Sequence, residues 1–141
     1  MTKTSWKWRS LGTIAAWLDA GGRFTPGAAP GPARVVVPGA GRGHDARLLA
    51  HRNHRVWAFD FAAPVIAEAI LLAERERVVV SFEQRDIFTL GDAYAGFFDG
   101  VWEYTCFCAI DPGRREEYAR VMHAILRPGG TLLGCFYPLR D

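Results

Sequence analysis

The sequence has 141 residues, of which 50% are apolar and 23% are charged, and its formal net charge is +2. That length suits one domain with its own core, and a near-neutral charge with scattered arginines argues against a nucleic-acid-binding protein. No apolar stretch approaches the roughly 20 residues that cross a bilayer, and the basic amino terminus lacks the apolar segment of a signal peptide, so we expect no membrane association.

After an opening helix at about 11–20 and a Pro- and Gly-rich loop at 23–33, strand-like and helix-like segments alternate. The predicted strands are 34–40, 54–61, 77–86, 97–107 and 131–138, and the predicted helices are 45–52, 63–77 and 112–126. Several strands are apolar on both faces. The pattern therefore predicts an α/β fold, a three-layer sandwich with a mostly parallel sheet of about five strands. Such sheets bind ligands beyond the carboxyl ends of their strands.

The loop after the first predicted strand reads PGAGRGHD, with glycines at positions 39, 41 and 43. Without side chains there, a ligand can pack on the backbone with amide N–H groups aimed at it. A dinucleotide fingerprint would place its third glycine at position 44, which is His44 here. A nucleotide-like ligand and a plain tight turn both explain this loop.

Acidic residues end the second and third predicted strands. Asp60, 19 residues after Gly41, is placed to accept hydrogen bonds from both hydroxyls of a ribose, to cap the following helix, or to do both. Asp86 is placed to accept from an exocyclic amine, with Ile87 and Phe88 walling a flat base, although a surface carboxylate explains it as well.

The three cysteines are an odd number in a short chain, which is not a disulfide framework and indicates a reducing compartment. We therefore expect a cytoplasmic protein. Cys106 and Cys108, with His123 or Cys135, suggest a metal site only weakly. Two cysteines that point the same way from a predicted strand have no matching second pair, so we expect no metal.

Four ordered blocks, at 34–50, 56–69, 85–90 and 97–138, together resemble the thiopurine S-methyltransferase-like family, and within it the thiol and halide methyltransferases. The resemblance covers about 11–141 and is most specific over 99–138. It implies a Rossmann-like class I methyltransferase that uses S-adenosyl-L-methionine to methylate a small soft nucleophile, namely a thiol, a thiopurine or a halide.

The resemblance also implies which residues touch the cofactor: Gly39, Ala40, Gly41, Gly43, Asp45, Asp60, Phe61, Asp86, Ile87 and Glu103. The glycine turn would lie under the methionine and ribose portion. Asp60 would hold the ribose hydroxyls with Phe61 beside the adenine, and Asp86 and Ile87 would address the adenine edge. Asp45 would either cap its helix or contact the cofactor's ammonium group.

Glu103 and Tyr104 match the family's acidic-aromatic pair near the reacting sulfonium, and they are the candidate catalytic residues. Tyr104 and Phe107 are candidates for the wall of the acceptor pocket, with ordinary core aromatics as the alternative. Thiolates and halides are already nucleophilic, so we expect no dedicated general base; alignment in a dry pocket would supply most of the rate.

The sequence departs from the family at both ends. Relatives carry a Trp-rich lid where this sequence reads SWKWRS, and they continue beyond FYPLRD with a Gly-Gly-Pro segment and a final antiparallel strand pair. We therefore expect 1–141 to form a single, incomplete methyltransferase domain whose fifth strand leaves an apolar edge for self-association. A truncated chain that binds cofactor or a partner without catalysis is the alternative. A nicotinamide-dependent oxidoreductase is a third hypothesis, which the spacing of the glycines disfavours.

Overall fold

The computed structural model describes residues 14–27 and 31–135 in full, and of residues 4–6 the backbone. Single turns of 3-10 helix lie at Ile87–Thr89 and Pro112–Arg114. In chain order the elements are β1 (Thr4–Trp6), α1 (Ile14–Asp19), β2 (Arg34–Pro38), α2 (His44–His51), β3 (Arg55–Asp60), α3 (Ala63–Glu76), β4 (Val80–Gln84), α4 (Leu90–Ala93), β5 (Phe98–Tyr104), α5 (Cys106–Ala109), α6 (Arg115–Ile125) and β6 (Leu126–Cys135).

The described strands form one parallel sheet in the order β1-β6-β5-β2-β3-β4. From β2 the chain adds β3 and β4 on one side, and then crosses to add β5 on the other. The reversal opens a crevice at the carboxyl ends of β2 and β5, which is where open parallel sheets bind ligands. The α/β fold with a parallel sheet that the sequence predicts is confirmed.

Helices cover both faces of the sheet, and β2 is therefore buried on both faces. Val35 and Val37 pack with residues of α1 and α2, whereas Val36, which points the opposite way, packs with residues of α4 and α6. Both apolar clusters therefore meet at this central strand, and its carboxyl end is held rigidly in place. The longest described helix, α3, has 14 residues, and no helix in the described ranges is long and apolar enough to cross a bilayer.

The last strand is not the open edge that we expected. β1 pairs with β6, with Thr4 opposite Gly130 and Trp6 opposite Leu132. The expected apolar edge is therefore covered over 130–132, and sequence reasoning missed this because a three-residue strand has too few positions to show alternation. Self-association itself stays a prediction, and residues 136–138 of the predicted strand lie outside the described residues.

Other boundaries also differ from the predicted ones, and the last strand begins at Leu126 and not at 131. The predicted strand at 97–107 ends at Tyr104, because Thr105 turns the chain with φ 67°, and Cys106 and Cys108 then lie on α5. The predicted strand at 77–86 shortens to β4, since Arg77 ends α3 in a left-handed conformation with φ 56°. The argument that the two cysteines point the same way from a strand is therefore wrong.

We predict that Gly43→Ala destabilises the fold more than Gly96→Ala. Both glycines have positive φ, 79° and 61°, which costs other residues about 1–2 kcal/mol. A Cβ at Gly43 would also lie 2.8 Å from the Phe82 ring, which adds about 1–3 kcal/mol of overpacking, whereas one at Gly96 meets nothing within 4 Å. Urea unfolding of both variants measures the difference, and equal losses would contradict the packing argument.

Candidate functional site

The loop between β2 and α2 is a tight turn that requires glycine backbone. The Gly43 N–H donates to the Ala40 carbonyl at 3.0 Å, and Gly41 inside the turn has φ 57°. A Cβ on Gly39 would lie 2.9 Å from the Cys106 sulfur, whereas a Cβ on Gly41 would meet nothing within 4 Å. The chain is therefore close-packed beneath Gly39, and the space over Gly41 is open for a ligand.

Two cavities adjoin at the carboxyl ends of β2 and β5, where they share Gly39 and Thr105. The loop cavity, of about 310 Å³, is lined by Val37, Gly39, Ala40, Gly41, Arg42, Gly43, His44, Asp45, Tyr104 and Thr105. The outer cavity, of about 550 Å³, is lined by Gly39, Asp60, Phe61, Arg85, Asp86, Ile87, Phe88, Thr105, Cys106, Ala109, Ile110, Asp111 and Arg114. Both volumes fall in the range of small-molecule sites, about 300–1,000 Å³.

Asp60 ties the glycine loop to the start of α3. One carboxylate oxygen accepts from the Gly41 N–H and the other from the Ala62 N–H, each at 3.0 Å. A carboxylate offers about four acceptor positions, so Asp60 can accept two further hydrogen bonds. The N-cap of α3 is Ala62, without a side-chain cap bond, so Asp60 holds the residue before the helix and the capping role is wrong. Its open acceptor positions leave the ribose contact as a prediction.

The outer cavity has the flat apolar walls that the sequence predicts. Phe61 is 81% exposed and lines it together with Ile87 and Phe88. Asp86 uses one oxygen to cap the 3-10 turn, accepting from the Phe88 N–H at 2.9 Å, and it faces the same cavity. Arg114, whose guanidinium carbon lies 3.6 Å from the centre of the Phe88 ring, was missed because only the fold brings it there.

Glu103 lies behind the cavity wall and not in it. Its side chain is 1% exposed and lines neither cavity. One oxygen accepts from the Phe107 N–H and from the Tyr118 hydroxyl, the latter at 3.1 Å. Burial raises the pKa of this carboxyl to about 7, although both hydrogen bonds oppose that shift. Glu103 is thus a buried acid that titrates near neutral pH, directly beneath the turn that ends β5.

Tyr104 and Asp45 both line the loop cavity, and Trp102 connects them. The rings of Trp102 and Tyr104 are parallel within 4° at a centroid distance of 6.1 Å. The Trp102 indole N–H donates to the Asp45 carboxylate at 2.8 Å. Asp45 does not cap α2, because that position is held by Gly43 without a side-chain bond, so the capping alternative is wrong. Trp102 carries no sequence signal for this contact, which joins residues 57 positions apart.

Thr105 joins the two cavities in a strained conformation. Its φ of 67° and ψ of −9° are left-handed, which is rare for a β-branched residue. Its carbonyl accepts from the Cys108 thiol at 3.1 Å, and Cys106 follows it into the wall of the outer cavity. Strain of this kind is typical of functional sites, where the surrounding structure enforces it.

The cysteines are free thiols, and burial raises the pKa of Cys106 to about 12. In the parts of the chain that the structure describes, no three His, Cys, Asp or Glu side chains are grouped to hold a metal ion.

Residues 22–138 match the model of the family described as thiopurine S-methyltransferase. Thiocyanate methyltransferase 1 of Arabidopsis thaliana is 33% identical over 110 residues, which are 77% of this chain and 48% of that protein. Thiopurine S-methyltransferase of Canis lupus familiaris is 29% identical over 114 residues, which are 68% of this chain and 46% of that protein. The chain thus spans about half the length of these curated relatives.

Solved structures confirm the Rossmann-like fold. That of Burkholderia thailandensis 1,6-didemethyltoxoflavin-N1-methyltransferase, with bound 1,6-didemethyltoxoflavin and S-adenosylhomocysteine, has a TM-score of 0.60 at 34% identity, covering 69% of this chain and 41% of that one. A protein from Pyrococcus horikoshii OT3 has a TM-score of 0.69 at 20% identity, covering 74% of this chain and 49% of that one, a likeness of fold alone.

We predict that Thr105→Gly stabilises the protein by about 1 kcal/mol, because glycine adopts the left-handed conformation without the steric cost of a Cβ. Asn53→Gly is the matched control: Asn53 has nearly the same φ, 68°, but asparagine tolerates it, so the gain is smaller. Thermal and urea unfolding measure both. A Thr105→Gly protein no more stable than the parent would show that the turn is unstrained.

We also predict that Glu103 makes stability fall as pH rises from about 4.5 to 7. The folded carboxyl, with its pKa of about 7, binds a proton more tightly than the unfolded one, whose ordinary value is 4.5. This contribution to the free energy of unfolding is fully present below the pKa of the unfolded carboxyl. It is lost as the pH rises through the pKa of the folded carboxyl, and it amounts to about 3 kcal/mol. Glu103→Gln keeps both acceptor contacts and removes the titration of this carboxyl. Glu116→Gln, at an exposed site, is the control, because it leaves the titration of Glu103 in place. Parallel profiles for the parent and Glu103→Gln in urea unfolding would refute the assignment.

Proposed function

The chain belongs to the thiopurine S-methyltransferase family, and on that basis we propose that it binds S-adenosyl-L-methionine and transfers its methyl group to a small soft nucleophile. Thiols, thiopurines and halides are the acceptor classes. The names thiocyanate methyltransferase and thiopurine S-methyltransferase, which two of the relatives carry, support small sulfur-containing acceptors. We also infer that residues 1–141 belong to one methyltransferase domain and that the protein is cytoplasmic.

The observation that carries the proposal is the pair of cavities meeting at Gly39 and Thr105. S-adenosyl-L-methionine has a nucleoside at one end and a zwitterionic amino acid at the other, so it needs two chemically different compartments side by side. The outer cavity offers Phe61 and Ile87 as apolar walls for a base. The loop cavity offers open space over Gly41 and the Asp45 carboxylate for the ammonium group of the amino acid.

Asp60 fits the ribose between these two ends. It faces the outer cavity beside the shared Gly39, and both of its oxygens keep an acceptor position after binding Gly41 and Ala62. A pair of neighbouring hydroxyls is the natural partner for such a carboxylate. Asp86, which also keeps one oxygen outside its capping bond, is placed to accept from the amine of a base.

The cofactor supplies a methyl carbon bonded to a positively charged sulfur, which a soft nucleophile displaces in line. The protein's part is to align the reactants and to exclude water, and alignment alone can contribute about 7–11 kcal/mol to lowering a barrier. Tyr104, 37% exposed in the loop cavity, and Thr105 at the junction form the wall nearest both compartments. Glu103 remains a candidate catalytic residue, because its carboxylate, ionised above about pH 7, would supply a negative potential from behind this wall.

A second candidate function is binding without turnover. The chain spans about half of the length of its curated relatives, so similarity alone does not carry their turnover over to it. Assays of S-adenosylhomocysteine formation with small thiols and with iodide separate the two. Binding with no product from any of these acceptors favours the second candidate.

We predict that Asp60→Asn weakens S-adenosylhomocysteine binding at least about tenfold, since the amide loses the charge and half of the acceptor positions. Isothermal titration calorimetry measures the dissociation constant. Asp19→Asn is the control, because Asp19 pairs with Arg52 on the surface and lines neither cavity. Failure of the parent protein to bind would refute the proposed function, and equal affinity of Asp60→Asn would refute the ribose contact.

A further inference from the structure

A buried arginine on α2 has no part in the proposed chemistry. Arg47 is 8% exposed, and its guanidinium contacts two other segments. Its Nε donates to the Glu76 carboxylate in the last turn of α3, and its Nη1 donates to the backbone carbonyl of Arg42, each at 2.5 Å. Burying a cation is costly unless it is paired and hydrogen-bonded, and Arg47 is both.

The carbonyl that Arg47 holds lies inside the glycine turn. The peptide plane between Arg42 and Gly43 is rigid, so fixing that carbonyl also fixes the Gly43 N–H, which donates to Ala40 at 3.0 Å. The N–H of Gly41, the residue before Arg42, is held by Asp60. The turn is therefore held by a cation at the Arg42 carbonyl and by an anion at the Gly41 amide.

Glu76 is itself held in place. Its second oxygen lies 3.1 Å from the His51 Nε2, so α2 contacts this carboxylate from two positions one turn apart. The guanidinium is planar and carries several N–H donors in fixed directions, which lets Arg47 bond Glu76 and the Arg42 carbonyl at once. A lysine ammonium has no such fixed fork and would hold the two acceptors less rigidly.

We propose that Arg47 is a positioning residue that keeps the glycine turn in its ligand-binding shape. The inference deepens the proposed function and rests on it, because the ligand in question is the methyl donor. Arg47 acts through the Arg42 carbonyl and lines neither cavity. A simple brace between α2 and α3 is the competing explanation, and it predicts a loss of stability without a change in the turn.

The test compares Arg47→Met, which keeps an unbranched apolar stem and removes the guanidinium, with Arg52→Met as the matched control. Arg52 follows α2 at the end far from the glycine turn and pairs with Asp19 on the surface. Amide hydrogen exchange of Gly41 and Gly43, without ligand, reports the shape of the turn. Calorimetric titration with S-adenosylhomocysteine, well below the melting temperature, reports its function.

We expect Arg47→Met to raise the exchange rate at Gly43, and the dissociation constant for S-adenosylhomocysteine, each at least about tenfold, with Arg52→Met near the parent in both. Glu76→Gln still accepts from Arg47 and should show smaller changes of the same sign. The competing outcome is a loss of stability in which Gly43 exchange is unchanged relative to the amides of α2 and the affinity is also unchanged. That result would overturn the proposal in favour of the brace.

Arg47→Lys decides the matter if Arg47→Met does not fold. It keeps the charge but not the fork, so faster Gly43 exchange together with weaker binding supports positioning, and parental values for both overturn it. The exchange measurement needs no ligand. A parent protein that binds no S-adenosylhomocysteine therefore refutes the proposed function, while the exchange rates still decide whether Arg47 holds the turn.

Discussion

The hydrogen bond from the Gly41 N–H to the Asp60 carboxylate is the contact on which the site depends. It joins the loop after β2 to the end of β3, two neighbouring strands of the sheet, and the other oxygen of Asp60 holds the chain at Ala62 where α3 begins. The same carboxylate keeps two acceptor positions towards the outer cavity. One side chain thus sets the shape of the turn and presents the polar group that a sugar needs.

Ionisable side chains around the site act mainly on the backbone. Asp60 accepts from main-chain N–H groups, Glu103 accepts from the Phe107 N–H, and Arg47 donates to the Arg42 carbonyl. Hydrogen bonds to charged groups are stronger than neutral ones, most of all where water is excluded. Loops at the carboxyl ends of the strands are therefore held by side-chain hydrogen bonds in place of regular backbone pairing.

The opposite wall of the site comes from β5, the other neighbour of β2. Thr105 turns the chain sharply at the end of that strand and sends Cys106 against Gly39, so the two walls touch at the junction of the cavities. The buried acid Glu103 and the strained Thr105 lie on either side of Tyr104, at the end of β5. Both are unfavourable locally, and the β2–β5 pairing and the α6 contact through Tyr118 hold them in place.

The sequence by itself determined the alternation of strands and helices, the glycine turn, and the positions of Asp60 and Asp86, because periodicity and turn chemistry are local and span only a few residues. The family resemblance added the methyl donor, which no local pattern could identify. Only the tertiary structure decided that β1 covers the edge of β6, that Glu103 lies behind the wall, and that Arg47 donates to the Arg42 carbonyl. Each depends on segments far apart in the chain, whose pairing and burial follow from the packing of the whole sheet and not from the residues nearby.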